Sequence, residues 1–313
     1  MLTGLTLPAM ALLLTAGVAL DLLLGEARRW HPLVGFGRLA DALERRLNRG
    51  RARRWRGAFA WMLAVLPVLA LGAWLSAGAL LPHAALLYFC LGLRSLREHN
   101  LPIACALGQG DLPQARLLAA RIVSRDTEHA GESDLAKAST ESLLENGNDA
   151  VFGTLFWFAV AGGPGALLFR LANTLDAMWG YRSTRFLAFG CPAARIDDLL
   201  NFIPARLTAL SYVVLADDRR LAWTCWREQA PHWPSPNAGP VMASGAGALG
   251  IALGGSASYD GVAEQRPALG HGRAAARDDI VRAWNLVVAS TVVWVAALGI
   301  VAATVYIWGA RHA

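Results

Sequence analysis

The sequence predicts an all-α fold: a polytopic integral membrane helix bundle with a cytoplasmic helical lobe and possible re-entrant or broken helices. Three observations lead there. Residues AVILMFWYC fill 55% of the 313 positions and mean hydropathy is +0.37, while charged residues stand at 17%, below the ~25% usual in soluble domains. Several uncharged runs are long enough to cross a bilayer. The formal charge of +6 is concentrated in one place: segment 25–56 holds ten Arg against three acids, and the rest of the chain nets −1. This composition excludes a disordered chain and argues against a freely soluble globule.

Taken in order, Leu2–Leu20 is uncharged and lacks the basic n-region of a signal peptide, so 1–24 reads as a retained anchor span. Segment 25–56 reads as a basic loop. Its arginines place it in the cytoplasm and the N-terminus outside, with Trp30 and Trp55 as interfacial anchors and anionic lipid, not nucleic acid, as the partner of the Arg cluster. Gly57–Leu93 has 37 residues without formal charge. A single helix of that length would run ~55 Å against a ~30 Å hydrocarbon core. It is therefore expected to be a hairpin of two spans, turning near Ser76–Pro82 and returning to the cytoplasm at Arg94. Segment 94–150 is charged and helix-forming, a cytoplasmic helical lobe. Segment 151–283 reads as broken helices and motif loops, because Gly162-Gly163-Pro164-Gly165 interrupts the uncharged Val151–Phe169 run. That break suits either a kinked span or a re-entrant pair of half-helices. Trp284–Ala310 is the C-terminal span, and 1–313 reads as one integral membrane domain.

Several chemistries are excluded. The four cysteines stand alone, with no disulfide framework or zinc spacing. There is no P-loop, nucleophile elbow or H-E-x-x-H helix, and Lys137 is the only lysine. Any phosphate would have to be held by Arg, backbone N–H groups and a carboxylate-bound cation.

Four polar clusters border the apolar runs, where polar groups are costly. The first is Ser124-Arg125-Asp126-Thr127, followed by Lys137, Glu141, Glu145 and Asp149 at four-residue spacing, with Asn146 in the same turn. The plain reading is a solvated helix face with a Lys–Glu pair; the functional one is a Mg²⁺ or phosphate-transfer surface. The second is Asn173-Thr174-Leu175-Asp176, with Tyr181 beyond. The third is Arg195, Asp197, Asp198, Asn201 and Arg206, read either as a helix cap pair or as a metal or nucleotide site. The fourth is the loop of Ser235, Asn237 and Gly239, leading into Gly245-x-Gly247-x-x-Gly250. No strand precedes that glycine string, so close helix packing is favoured over a dinucleotide fingerprint.

These strings, in this order, resemble the CobD/CbiB family: S-R-D-T (124–127), E-S-L-L-E-N (141–146), L-F-W (155–157), G-G-P-G-A (162–166), N-T-L-D-A-M-W-G-Y (173–181), A-R-I-D-D-L-L-N-F-I-P-A-R (194–206), S-P-N-A-G (235–239) and A-G-A-L-G-x-x-L-G-G (246–255). Asp21-x-x-x-Gly25 and His31-Pro32 fit as well. The resemblance implies a multi-pass enzyme of the bacterial inner membrane, an adenosylcobinamide-phosphate synthase of cobalamin biosynthesis. It implies an acid–amine ligase joining adenosylcobyric acid, through a propionate carboxyl, to aminopropanol or aminopropanol O-phosphate, with ATP and Mg²⁺ and a site facing the cytoplasm. It also implies other late corrinoid-pathway membrane enzymes as partners. The sequence departs from the family pattern at Gly153-Thr154, Gly147-Asn148 and Phe169-Arg170, the last standing where an aromatic–Lys pair is common.

On this reading Arg125, Asp126, Glu141, Glu145 and Asp176 are the expected catalytic residues. Thr127, Asn146, Asn173, Thr174, Tyr181, Arg206, Ser235, Asn237 and Gly239 would bind substrate, and Asp149, Asp197, Asp198 and Asn201 would hold metal. The competing reading is a non-enzymatic membrane transporter or an AmpE-like sensor, since broken apolar segments with carboxylates also mark transporters.

Overall fold

The computed structural model describes residues 4–26, 31–259 and 261–312, with side chains to Trp308; Trp30 and the first residues of the expected anchor lie outside the described residues. In chain order the elements are α1 (Leu7–Leu24), α2 (Pro32–Leu47), α3 (Arg53–Ser76), α4 (Leu80–Cys90), α5 (Leu93–Gly108), α6 (Leu112–Ala119), α7 (Glu132–Gly147), a π-helical turn (Asn148–Phe152), α8 (Gly153–Trp179), α9 (Cys191–Leu215), α10 (Arg219–Gln229), α11 (Ala238–Leu249), β1 (Ile251–Tyr259), β2 (Val262–Leu269), β3 (Arg273–Ala274) and α12 (Arg277–His312). Among the described residues, five helices are long and apolar enough to cross a membrane: α1, α3, the run from α7 through α8, α9 and α12. The chain divides into two compact units. One comprises Met1–Gly92, Gly153–Asn201 and Val295–Ala313; the other comprises Leu93–Phe152 and Phe202–Trp294.

In the first unit, α1 begins where the Thr6 hydroxyl accepts from the Ala9 N–H and ends at Gly25, whose φ of 69° a side chain would resist. The segment expected to be a basic loop is mostly helix. Phe36, Ala40 and Glu44 recur at four-residue spacing and are buried, while Arg38, Arg45 and Arg46 are exposed on other faces of α2. Three arginines bond within this elbow: Arg49 donates to the Arg45 carbonyl, Arg56 to the Arg49 carbonyl, and Arg53 to Asn48 Oδ1 and the carbonyls of Thr184 and Arg185.

Helix α3 has 24 residues, about 36 Å. Its expected partner span is shorter than predicted: α4 has 11 residues, about 16 Å, roughly half the hydrocarbon thickness. Glycines let these helices approach. A Cβ at Gly17 would overlap Leu87, and one at Gly72 would overlap Leu167. The predicted interruption of α8 is present at Ala161 and Gly162, the latter with φ 62° and ψ −154°. A Cβ on Gly165 would strike the carbonyl of Trp157, eight residues back. In a straight helix those positions are about 12 Å apart, so the chain turns sharply here. The Gly163 N–H freed by the break donates to His83 Nδ1 at 2.9 Å.

Among the described residues the second unit carries the one departure from an all-helical chain, a three-stranded sheet of order β2-β1-β3. β1 and β2 form an antiparallel hairpin with an irregularity at Gly254/Gly255, both at φ 70°; β1 and β3 are parallel. The glycine string 245–250 lies in α11. A Cβ on Gly245 would overlap Leu144 of α7, and one on Gly247 would overlap Ala222 of α10. The small residues thus serve helix crossings, and Gly250 ends the helix in the left-handed region. Asp279 at the start of α12 is buried and takes bonds from Arg273, Arg282 and the Ala276 N–H, which ties β3 to α12.

Candidate functional site

Glu141 is the centre of the second unit's polar network. It sits on α7 with a neighbourhood the plain solvated-face reading does not provide: the side chain is 3% exposed. Its Oε1 accepts the Gly254 N–H at 2.8 Å and Arg266 at 3.2 Å, and its Oε2 accepts Arg266 at 3.0 Å and also Arg125. Both arginine side chains are nearly buried, at 11% exposed for Arg125 and 10% for Arg266. Local folding explains how they meet. The bulge at Gly254/Gly255 turns the Gly254 N–H toward Glu141, and its register places Arg266 opposite Gly255. A residue with a Cβ could not replace Gly254, because it would overlap the Pro267 carbonyl. Arg266 also packs against the face of Trp233, 5.6 Å from its centroid.

Asp126, next to Arg125, fixes the hairpin tip. Its carboxylate accepts Ser258 Oγ at 2.9 Å and the Gly261 N–H at 2.8 Å, and its own N–H donates to the Ser258 carbonyl at 2.8 Å. Thr127 is buried and donates to the Arg116 carbonyl. The S-R-D-T string therefore both supplies a guanidinium to Glu141 and anchors the strand pair that supplies the other. Lys137 does not pair with Glu141; it reaches Asp134 at 3.5 Å and the Ser256 carbonyl at 3.4 Å.

One turn beyond Glu141, Glu145 lies within electrostatic reach of both Glu141 and Asp149. Asp149 falls in the π-helical turn, where Asn148 donates to it at 2.9 Å and Thr208 donates to the Asn148 Oδ1 at 3.0 Å. Such turns insert one residue into a helix and recur at functional sites. Asn146 folds back on Ser142. Arg206 donates to Asn237 Oδ1 at 2.9 Å and to the Pro236 carbonyl at 3.1 Å, stacked 3.6 Å over Phe202. The Ser235 hydroxyl accepts the N–H groups of Asn237 and Ala238, starting α11, and Gly239 is needed where a Cβ would press on the Ala230 carbonyl.

The first unit holds the remaining predicted residues. Asp197 and Asn201 are buried on α9; Asn201 donates to Asp197 Oδ2 at 3.1 Å and Asn173 to Oδ1 at 3.4 Å. Asp198 lies within reach of the charges of Arg195 and Arg182. Thr174 back-bonds to the Arg170 carbonyl. Asp176 abuts Gly180, where a Cβ would overlap its carboxylate, while Tyr181 is exposed. The expected metal set is thus divided, Asp149 in one unit and Asp197, Asp198 and Asn201 in the other. Among the described residues no group of three His, Cys, Asp or Glu side chains is close enough to hold a metal ion. Mg²⁺ commonly binds one or two carboxylates together with substrate phosphates, and the neighbouring Glu145 and Asp149 fit that pattern. Asp197 fits it less well, since both its oxygens take amide donors.

Residues 14–287 match the CobD/Cbib protein family. The chain belongs to that family. A protein of Stutzerimonas stutzeri named "Cobalamin biosynthesis protein CobD" is 58% identical over 89% of this chain and 93% of its own length. Proteins of the same name from Chromobacterium violaceum and Geobacter metallireducens are 51% and 39% identical, covering 97% and 83% of this chain and 99% and 86% of their own. No solved structure matches.

Arg266 and Gly254 are the functional candidates that reading the sequence missed. The signal was the glycine pair 254–255 followed by a lone Arg eleven residues on, legible only once the segment is known to be a hairpin.

Proposed function

We propose that this member of the CobD/Cbib family is an acid–amine ligase of cobalamin biosynthesis, joining adenosylcobyric acid to aminopropanol or its O-phosphate. Family membership carries the pathway, and the buried Arg125–Glu141–Arg266 network beside two further carboxylates carries the choice of site. ATP, when bound, would supply the phosphoryl group that turns a propionate carboxyl into an acylating group; Mg²⁺ would be held by Glu145 and Asp149 and screen phosphate charge. Arg125 and Arg266 would face the developing negative charge, with Glu141 fixing their orientation in a water-poor site. Water exclusion matters because an activated acyl group hydrolyses if exposed. The amine must shed a proton before attack; overall, acid and amine give amide and water, coupled to hydrolysis of ATP to ADP and phosphate. Bilayer insertion, an inner-membrane location and a cytoplasm-facing site complete the proposal.

A strain dependent on this step for cobalamin tests it. Cells lacking the chain should fail on adenosylcobyric acid with aminopropanol phosphate and recover on adenosylcobinamide phosphate, and restoring the chain should rescue the first condition. Failure on both feeds would place the chain at another step. The sharp break in α8 favours one second reading, a corrinoid transporter; growth restored by raising external adenosylcobyric acid alone would support it.

A further inference from the structure

Arg170 is a charged residue whose surroundings do not satisfy it. It lies in α8 between Phe169 and Leu171, both fully buried, and within electrostatic reach of buried Cys90. Its Nε–H is buried and makes no hydrogen bond, and among the described residues no carboxylate lies within ion-pair distance of its guanidinium. A lysine or carboxyl so placed could shed its charge; arginine cannot. The side chain as a whole is half-buried, but a buried donor without a partner is costly, and ionisable residues among apolar helices usually face a pathway or a ligand. Asn173 lies one turn on, sharing a helix face with Arg170 at i, i+3, and its amide is the group that touches Asp197. The other members of this polar cluster are mutually bonded; Arg170 is the donor left over.

We propose that Arg170, with Asn173 beside it, is a binding point in the first unit for the oxyanion group, carboxylate or phosphate, of a soluble ligand. This deepens the ligase reading, since both substrates and the nucleotide carry such groups, but its test needs neither corrinoid nor turnover, so the two can fail separately.

The full-length protein in zwitterionic phosphatidylcholine nanodiscs is melted with and without millimolar pyrophosphate or succinate, beside Arg170→Met and Arg170→Lys. Without probe, Arg170→Met should melt higher than wild type by about 2–4 °C, because an apolar chain of similar length removes a buried donor that has no partner. Pyrophosphate or succinate should raise the wild-type melting temperature saturably, raise Arg170→Lys partly, and leave Arg170→Met unmoved. The proposal is overturned if Arg170→Met melts lower than wild type without probe, if it shifts with probe as wild type does, or if neither probe moves wild type. It is likewise overturned if only phosphatidylglycerol discs, and no soluble anion, stabilise wild type over Arg170→Met, since the partner is then a lipid headgroup.

Discussion

Replacing Glu141 by Gln keeps the shape of the central side chain and removes its charge. Two arginines, their side chains about one-tenth exposed, then share a buried site with no carboxylate between them. Removing one partner of a buried ion pair costs about 3–5 kcal/mol because it strands the other charge; here it strands two, so about 4 kcal/mol is a moderate expectation. For a unit of this size that corresponds to a fall in melting temperature of roughly 8–16 °C. Arg266→Ala should cost less, about 1–3 kcal/mol, because Arg125 and the Gly254 N–H still hold the carboxylate. The double variant should be less destabilised than the sum of the two, by at least about 1 kcal/mol, because Arg266→Ala relieves the repulsion that Glu141→Gln creates. Thermal unfolding in nanodiscs followed by tryptophan fluorescence gives all three values. Glu141→Gln within about 1 kcal/mol of wild type, or strictly additive variants, would refute the buried-network reasoning.

Asp126→Asn should loosen the β1–β2 tip, which loses charge-assisted bonds to Ser258 and Gly261 worth about 1.5–3 kcal/mol locally; faster amide exchange confined to 256–265 is the expected readout. Arg53→Gln should lower stability by about 1 kcal/mol through its lost bonds to Asn48 and the 184–185 carbonyls, whereas Arg54→Gln, on an exposed position, should be neutral in the same melt. The hydrogen bond from Arg185 holds the Glu44 carboxyl below its ordinary range despite burial. That contribution is present above the unfolded value of about 4.3 and is lost as pH falls through the lower folded value. The stability gap between wild type and Glu44→Gln should therefore narrow on acidification from pH ~6 to pH ~3.5; a constant gap would contradict the assignment.

The long uncharged runs made α1, α3, α8 and α12 legible, because burial in lipid imposes length and apolarity on the sequence directly. The helix break at Gly162 was legible for a different reason: Pro164 has no N–H to donate into a helix, and Gly162 near it takes a positive φ freely. The basic segment hid α2 because its buried stripe is short and ends in a charge, running Phe36, Ala40 and Glu44. The π-helical turn had no sequence signal, and it carries Asp149 out of strict four-residue step with Glu145. The sheet was invisible because Gly, Ser and Ala fill most of β1, leaving no alternation and Ile251 as its single β-branched residue. With the hairpin unseen, Arg266 could not be placed opposite Glu141, although Arg125, Glu141 and Glu145 were already candidates. Ser235 and Gly239 illustrate the reverse: family strings that the fold uses to start α11 and pack it.

Amide formation would leave its mark on the mass of the corrinoid. Purified protein in nanodiscs is given adenosylcobyric acid, aminopropanol O-phosphate, ATP and Mg²⁺, with Arg125→Ala in parallel. Wild type should yield a corrinoid heavier by the amine minus water, one nucleotide hydrolysed for each product, and Arg125→Ala should slow it at least about thirtyfold, since losing a desolvated charge partner costs on the order of 2–5 kcal/mol. Unchanged corrinoid mass from folded wild-type protein, with ATP intact, would rule out the ligase reaction.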